Sequence, residues 1–261
     1  MCLALTVAVA MSNETKDIRW REEYIIRSSE VDTDQRATPL AILHLMQEAS
    51  MGSASDLGAS VEELQPQNLA WVLLRKAFTI VDRPKLSQQV SVVTYPSHFD
   101  RFLAYRDYKM YDMDGRLLAY ASSTWTLLNF VERKMARIPE FLLPLKVHPD
   151  EPALDLPPSR LDKISDITHT EQVKVRSYDL DWNGHVNNLS YVRYVLENVP
   201  KTYRNRQIKR IDFHIKAEAF LDDMIKVETG IVGIEDDRLG HRLSFNKDDK
   251  LIALVETHWS K

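Results

Sequence analysis

The chain has 261 residues, with 34 Lys and Arg against 38 Asp and Glu for a net charge of −4, and 44% of its residues are apolar. That length suits one large or two ordinary domains with a real core, the charge balance gives no electrostatic footprint for nucleic acid, and no apolar run is long enough to span a bilayer. The single cysteine, Cys2, rules out an internal disulfide, gives no sign of an oxidising compartment and leaves no cysteine nucleophile in the interior. A cytoplasmic protein is therefore expected.

Met1–Ala10 is apolar and ends in Ala8-Val9-Ala10, but a secretory signal needs a basic segment, and none precedes Lys16. A start at Met11 is the simpler expectation, within a disordered lead-in over residues 1–17. A short strand at Glu23–Arg27 then leads through a polar loop to a helix marked by Thr38-Pro39, proline being suited to the first helical position. Leu40, Ile42, Leu43, Leu45 and Met46 form too broad an apolar set for a surface helix, so it is expected to be largely buried. Gln89–Tyr95, Ala104–Tyr111 and Arg116–Asn129 read as strands, with Asp114-Gly115 as a hairpin turn. Five prolines follow, at 144, 149, 152, 157 and 158, among charged residues, a composition expected to be extended and unpacked.

The layout then repeats. A strand at Gln172–Arg176, a polar loop and a helix over Leu189–Glu197 with Pro200 beyond it precede strands at Met224–Val232, Gly240–Phe245 and Lys250–Trp259, the last two hinged at Lys247-Asp248-Asp249. The halves also match residue by residue. Arg27, Ser28, Asp32, Leu40 and Glu48 correspond to Arg176, Ser177, Asp181, Leu189 and Glu197 at an offset of 149. Phe78, Ile80 and Leu86 correspond to Phe213, Ile215 and Leu221 at an offset of 135, and Leu117, Ala119 and Trp125 to Leu251, Ala253 and Trp259 at 134. Two copies of one α+β domain follow, each a helix covered by an antiparallel meander, with a longer loop near Gln65–Asn68 in the first. The expected boundaries are 18–143, a linker over 144–165, and 166–261.

The densest chemistry lies in the second polar loop, where Asp181, Asn183, His185, Asn187 and Asn188 crowd into eight positions just before a helix. Backbone N–H groups are unpaired at a helix start and its dipole favours negative charge, so the segment suits a developing oxyanion, as acyl transfer requires. Taken singly, Asp181 could be a cap and His185 a structural histidine, and Asn187 and Asn188 are better read as capping the helix. Glu197 recurs as Glu48, which favours a structural role, and Tyr191 is expected only to pack near the loop.

Asp181-Trp182-Asn183-Gly184-His185-Val186-Asn187-Asn188, together with Lys216-Ala217-Glu218-Ala219 and Asp222, resembles the acyl-ACP thioesterase family over about residues 18–260. The resemblance implies a tandem (double) hotdog fold, each half a long helix wrapped by an antiparallel sheet. It implies hydrolysis of fatty acyl-ACP without metal or organic cofactor, and a catalytic set of Asp181, Asn183, His185 and Glu218. Glu218 would be the general base that activates water, or an attacking carboxylate. Asn183 and His185 would hold the thioester or the water, and Asp181 would orient its neighbours and fix the histidine tautomer. Ala219 stands where many relatives have a cysteine, which speaks against a cysteine mechanism here and leaves a carboxylate mechanism intact.

At the matching positions the first half has Asp32, Asp34 and Arg36, with Arg83 opposite Glu218. One active site per chain is therefore expected, built by the second half, while the first shapes the acyl pocket from residues such as Trp71, Leu73, Phe78, Tyr105 and Trp125. The expected partner is acyl carrier protein with its acyl-phosphopantetheine arm, and the chain would be a monomer or homodimer. The basic run Lys201–Arg210 would dock that partner or its phosphate, or be a solvated loop. A hotdog acyl-CoA thioesterase and a non-catalytic acyl-binding protein are the alternatives. A serine hydrolase is not supported, there being no G-x-S-x-G elbow, nor is a metal, since His185 lacks a ligand partner at suitable spacing.

Overall fold

The computed structural model describes residues 17–145, 154–233 and 237–260. The proposed lead-in and Cys2 lie outside the described residues, apart from Asp17 at the lead-in's end, and so do Pro149 and Pro152. The first half runs β1 (Trp20–Ile25), α1 (Pro39–Asp56), α2 (Val61–Leu64), β2 (Leu69–Ile80), β3 (Gln89–Phe99), β4 (Leu103–Asp112), β5 (Leu117–Asn129) and β6 (Lys134–Ala136). The second runs β7 (Asp166–Lys174), α3 (Asn188–Glu197), β8 (Ile208–Ile215), β9 (Met224–Ile231), β10 (Arg238–Phe245) and β11 (Leu251–Trp259).

Ten of these strands form one path, β1-β3-β4-β5-β2-β8-β11-β10-β9-β7, with β6 added beside β5. From the outside inward each half uses the same order, and the halves join where β2 pairs antiparallel with β8, placing Arg75 opposite His214 and Thr79 opposite Arg210. Thr38 caps α1 by accepting the Ala41 N–H at 3.1 Å, and Pro39 follows it. Ile42, Leu43 and Met46 of α1 and Tyr191, Val192 and Val195 of α3 are buried together with Phe78 and Phe213 of the two central strands. Both helices thus share one core against one continuous sheet.

Two expectations change. The extra length of the first half is not only a loop: α1 has 18 residues to the 10 of α3, and α2 follows it. Nor is the proline-rich segment unpacked where it is described. The Leu154 N–H donates to Asp107 at 2.9 Å, the Asp155 carbonyl accepts from Ser122 at 2.6 Å, and the Pro158 carbonyl lies 2.9 Å from His214 Nε2. Pro157 and Leu161 are buried. An extended chain needs no partner strand when side chains of the sheet satisfy its polar groups and proline removes a donor.

Candidate active site

The loop before α3 is shaped by its own backbone. The Asp181 N–H donates to the His185 carbonyl at 2.7 Å, and Gly184, with φ of +79°, donates to the Asp181 carbonyl at 3.0 Å. Glycine adopts that left-handed conformation without the Cβ penalty. The Asp181 carboxylate accepts the N–H groups of Asn183 at 2.8 Å and His185 at 3.2 Å. The bonds of Asp181 therefore hold the backbone of the loop, and the group that meets the histidine ring is a different carboxylate. Glu218 Oε1 lies 3.2 Å from His185 Nδ1, both side chains keeping over a third of their surface exposed.

Glu218 reaches this position because the chain after β8 runs alongside the loop. The Val186 N–H donates to the Ala219 carbonyl at 2.9 Å, and His185 and Phe220 form a β-bridge, their rings edge to face with centroids 5.0 Å apart. The next N–H, that of Ala219, donates to the Tyr191 hydroxyl at 3.0 Å, so α3 fixes the backbone beside Glu218. Burial pushes the Tyr191 phenol up, which keeps it a neutral hydroxyl. Sequence reasoning assigned Tyr191 packing alone. Its hydroxyl has a defined backbone partner that only the meeting of α3 with the 216–220 segment reveals.

At the helix start, Asn187 Oδ1 accepts the Leu189 N–H at 2.9 Å and the Asn187 carbonyl accepts the Ser190 N–H at 2.8 Å. Asn187 caps the helix as expected, and Asn188, the first residue of the helix, lines the adjoining cleft. Below the loop, buried Asp179 pairs with Arg193, accepts the Arg176 N–H at 2.7 Å, and through its carbonyl takes the Ser190 hydroxyl at 3.0 Å.

A cleft of about 670 Å³ opens beside the loop. Asp181, Trp182, Asn183, Asn187 and Asn188 line one part of it; Met51, Leu57, Ala59, Trp71, Phe99, Ala104, Trp125 and Leu142 of the first half give it apolar walls. His185 and Glu218 pair beside that loop and are not among its lining residues. The extra residues of α1 and α2 are spent here, since Met51, Ala54 and Ser55 of α1 and Val61 and Glu62 of α2 contribute to the wall. Of the aromatic and aliphatic residues proposed for an acyl pocket, Trp71, Tyr105 and Trp125 line the cleft, whereas Leu73 and Phe78 belong to the core.

The first half repeats the frame with other side chains. Asp32 Oδ1 accepts the N–H groups of Asp34 at 3.0 Å and Arg36 at 3.3 Å, and Gln35, φ +56°, takes the place of Gly184. The Ala37 N–H donates to the Pro84 carbonyl at 2.8 Å, and Arg36 bridges Lys85, the counterparts of the Val186–Ala219 bond and the His185–Phe220 bridge. Arg83, in the place of Glu218, pairs with Asp32. Burial pushes the Asp32 carboxyl up, but the bonds from Arg83, Arg36 and Asp34 outweigh it and hold the carboxyl below its usual range. Asp34, Arg36, Asp82 and Arg83 line a second cavity, of about 180 Å³, with Gln207, Ile208 and Lys209. The basic run thus lies against the first half's loop. Within it Arg210 is paired with Asp212 and Arg206 stacks on Tyr203. Among the described residues no cluster of His, Cys, Asp and Glu could hold a metal ion, and no helix is long and apolar enough to cross a membrane.

A wrapped helix written twice on one continuous sheet, with a polar loop feeding a cleft, is the double hotdog architecture. Its solved representatives include an acyl-ACP thioesterase from Bacteroides thetaiotaomicron (TM-score 0.83, 23% identity, covering 93% of this chain and 98% of that one). A putative oleoyl thioesterase from Lactobacillus plantarum superimposes with a TM-score of 0.80 at 26% identity, covering 93% of this chain and 96% of that one. The sequence matches the acyl-ACP thioesterase N-terminal domain over residues 17–144 and the C-terminal domain over 163–261, and the chain belongs to that family. Among curated relatives it is similar to the chloroplastic palmitoyl-acyl carrier protein thioesterase of Arabidopsis thaliana (29% identity over 83% of this chain) and to oleoyl-acyl carrier protein thioesterase 2 of the same plant (29% over 79%). The alignments span 56% and 61% of those two longer proteins.

Proposed function

We propose that this protein hydrolyses fatty acyl-ACP to free fatty acid and carrier thiol, at one site in its second half. The observation that carries the reading is the 3.2 Å approach of Glu218 to His185 beside a loop that opens on a large apolar cleft. Family membership supports the reaction class, and the relatives' names supply acyl carrier protein as the donor. The boundaries proposed are an acyl-pocket unit over 18–143, a linker over 144–165 and a catalytic unit over 166–261.

In the reaction proposed, the Glu218 carboxylate takes a proton from water as the water oxygen attacks the thioester carbon. The carbonyl oxygen becomes an oxyanion, received by the Asn183 side chain and the Asn188 N–H. Collapse of the tetrahedral intermediate expels the thiolate of the pantetheine arm, and a proton returns to it through the Glu218–His185 pair. Asp181 acts by holding the loop, since its carboxylate accepts the backbone N–H groups of Asn183 and His185. Trp182, Phe220 and Leu221, all exposed around the loop, would form the rim against which the carrier's arm enters. Two fused halves already make a complete core, so a monomer suffices and a homodimer is compatible. A cytoplasmic site of action is proposed from composition alone, the plant relatives being named chloroplastic.

The test is thiol release from a chain-length series of acyl-ACP and the matching acyl-CoA esters. Faster release from acyl-ACP supports the reading. Preference for CoA esters identifies an acyl-CoA thioesterase instead, and bound acyl ligand without release identifies a binding protein.

A further inference from the structure

The cleft is not apolar throughout: the carboxylates of Glu48, Glu62 and Asp181 line it elsewhere, and Arg106 is the cation among its lining residues. Arg106, on β4, lines it across from Ser50 of α1, and donates from one guanidinium nitrogen to Ser53 Oγ at 2.9 Å and Thr94 Oγ1 at 3.3 Å. Both acceptors are neutral, and a guanidinium has five donors to satisfy. Close by, buried Lys76 sets its ammonium 4.0 Å above the Tyr108 ring, and Tyr108 is fully buried. Neither Arg106 nor Lys76 forms an ion pair among the described residues. The next carboxylate along the strand, Asp107, points to the opposite face, where it accepts the Leu154 N–H and the Ser97 hydroxyl. Burial pushes the Tyr108 phenol up, yet Lys76, Arg106 and the hydroxyls of Ser123 and Ser50 together bring it down, while burial lowers Lys76 and Arg106 themselves.

A plain hydrocarbon laid along this cleft would suit Leu57, Trp71, Phe99 and Leu142 but would leave the remaining Arg106 donors facing methylene groups. Unmatched donors and an uncompensated charge in a desolvated site are costly. The thioester cannot supply the missing acceptor if the second half's loop and Glu218 hold it, as the proposed function requires. We infer that the cleft receives acyl chains carrying an oxygen acceptor at the end away from the thioester, a hydroxyl or a carboxylate, which Arg106 binds with Lys76 behind it. This rests on the cleft being the acyl site of that function.

Binding of non-hydrolysable amide analogues of the acyl-pantetheine thioester tests it without needing turnover. Three analogues of equal chain length are compared by calorimetry: plain, terminally hydroxylated and terminally carboxylated. The native protein is expected to bind at least one oxygenated chain about tenfold or more tighter than the plain chain, the ratio one charge-assisted bond supplies. Arg106→Met is expected to reverse that preference. Arg106→Gln, which keeps donors without charge, is expected to lose the carboxylate preference and keep part of the hydroxyl preference. Tightest binding of the plain chain by the native protein, or an oxygen preference unchanged in both variants, overturns the inference. Thiol release from acyl-ACP with no oxygen preference would leave the thioesterase reading standing alone, and oxygen-selective binding with no release would do the converse.

Discussion

The Tyr191 hydroxyl accepts the backbone N–H of Ala219 at 3.0 Å, and at the matching positions of the first half stand Ile42, whose side chain has no hydroxyl, and Pro84, which has no N–H. Donor and acceptor are absent together there, so this position leaves no unmatched group in the first half. In the second half the bond ties α3 to the residue next to Glu218. Tyr191→Phe is expected to leave the buried Ala219 N–H unsatisfied, lowering stability by about 1–3 kcal/mol and lowering kcat more than KM. Adding Ala219→Pro to Tyr191→Phe recreates the first half's arrangement and should recover part of the stability but not of kcat. Denaturant melts and steady-state kinetics on the single and double variants check this.

Asp181→Ala removes the acceptor for two loop N–H groups, and Asp181→Asn keeps an oxygen there. The alanine variant should therefore lose activity and about 1 kcal/mol or more of stability. The asparagine variant should retain most of the stability, and thermal melts beside thiol-release rates separate the two effects.

His241 is buried between the Thr229 and Thr257 hydroxyls, 2.9 Å from each, and burial lowers its pKa to about 3. An unfolded histidine titrates near 6.5, so between those values the unfolded chain binds the extra proton. Stability is thus fully present above about pH 6.5 and falls as the pH drops toward 3, by at most about 1.4 kcal/mol per pH unit from this residue. His241→Gln should flatten the loss of melting temperature on acidification from neutral pH; an unchanged slope would assign the acid sensitivity elsewhere.

The duplication and the loop were readable because they are written locally. Asx-turn chemistry at Asp181, a glycine at the left-handed Gly184 and the Asn187 cap each depend on neighbours within a few residues, and the repeat carries the first and last of these signals at Asp32 and Thr38. Contacts between distant segments were not readable. The sequence could not show that α1 would run to Asp56 and wall the cleft, that Pro157 would pack on the sheet, or that Glu218 rather than Asp181 would meet the His185 ring. Nothing in a strand pattern distinguishes a cation facing a cleft, as Arg106 does, or one buried in the sheet, as Lys76 is, from one facing water.

The central claim is that hydrolysis belongs to the second half alone, and initial rates of thiol release from one acyl-ACP substrate by Glu218→Gln and Arg83→Gln test it most directly. Both side chains sit at matching positions of the two frames, and Glu218 is half exposed, so its replacement should leave the fold intact. Glu218→Gln is expected to lower the rate about 100-fold or more, the scale of a lost general base, while Arg83→Gln, which breaks the Asp32 pair, keeps it within about threefold of native once matched for folded protein. Equal losses in both variants, or a Glu218→Gln enzyme as fast as the native one, would contradict the account.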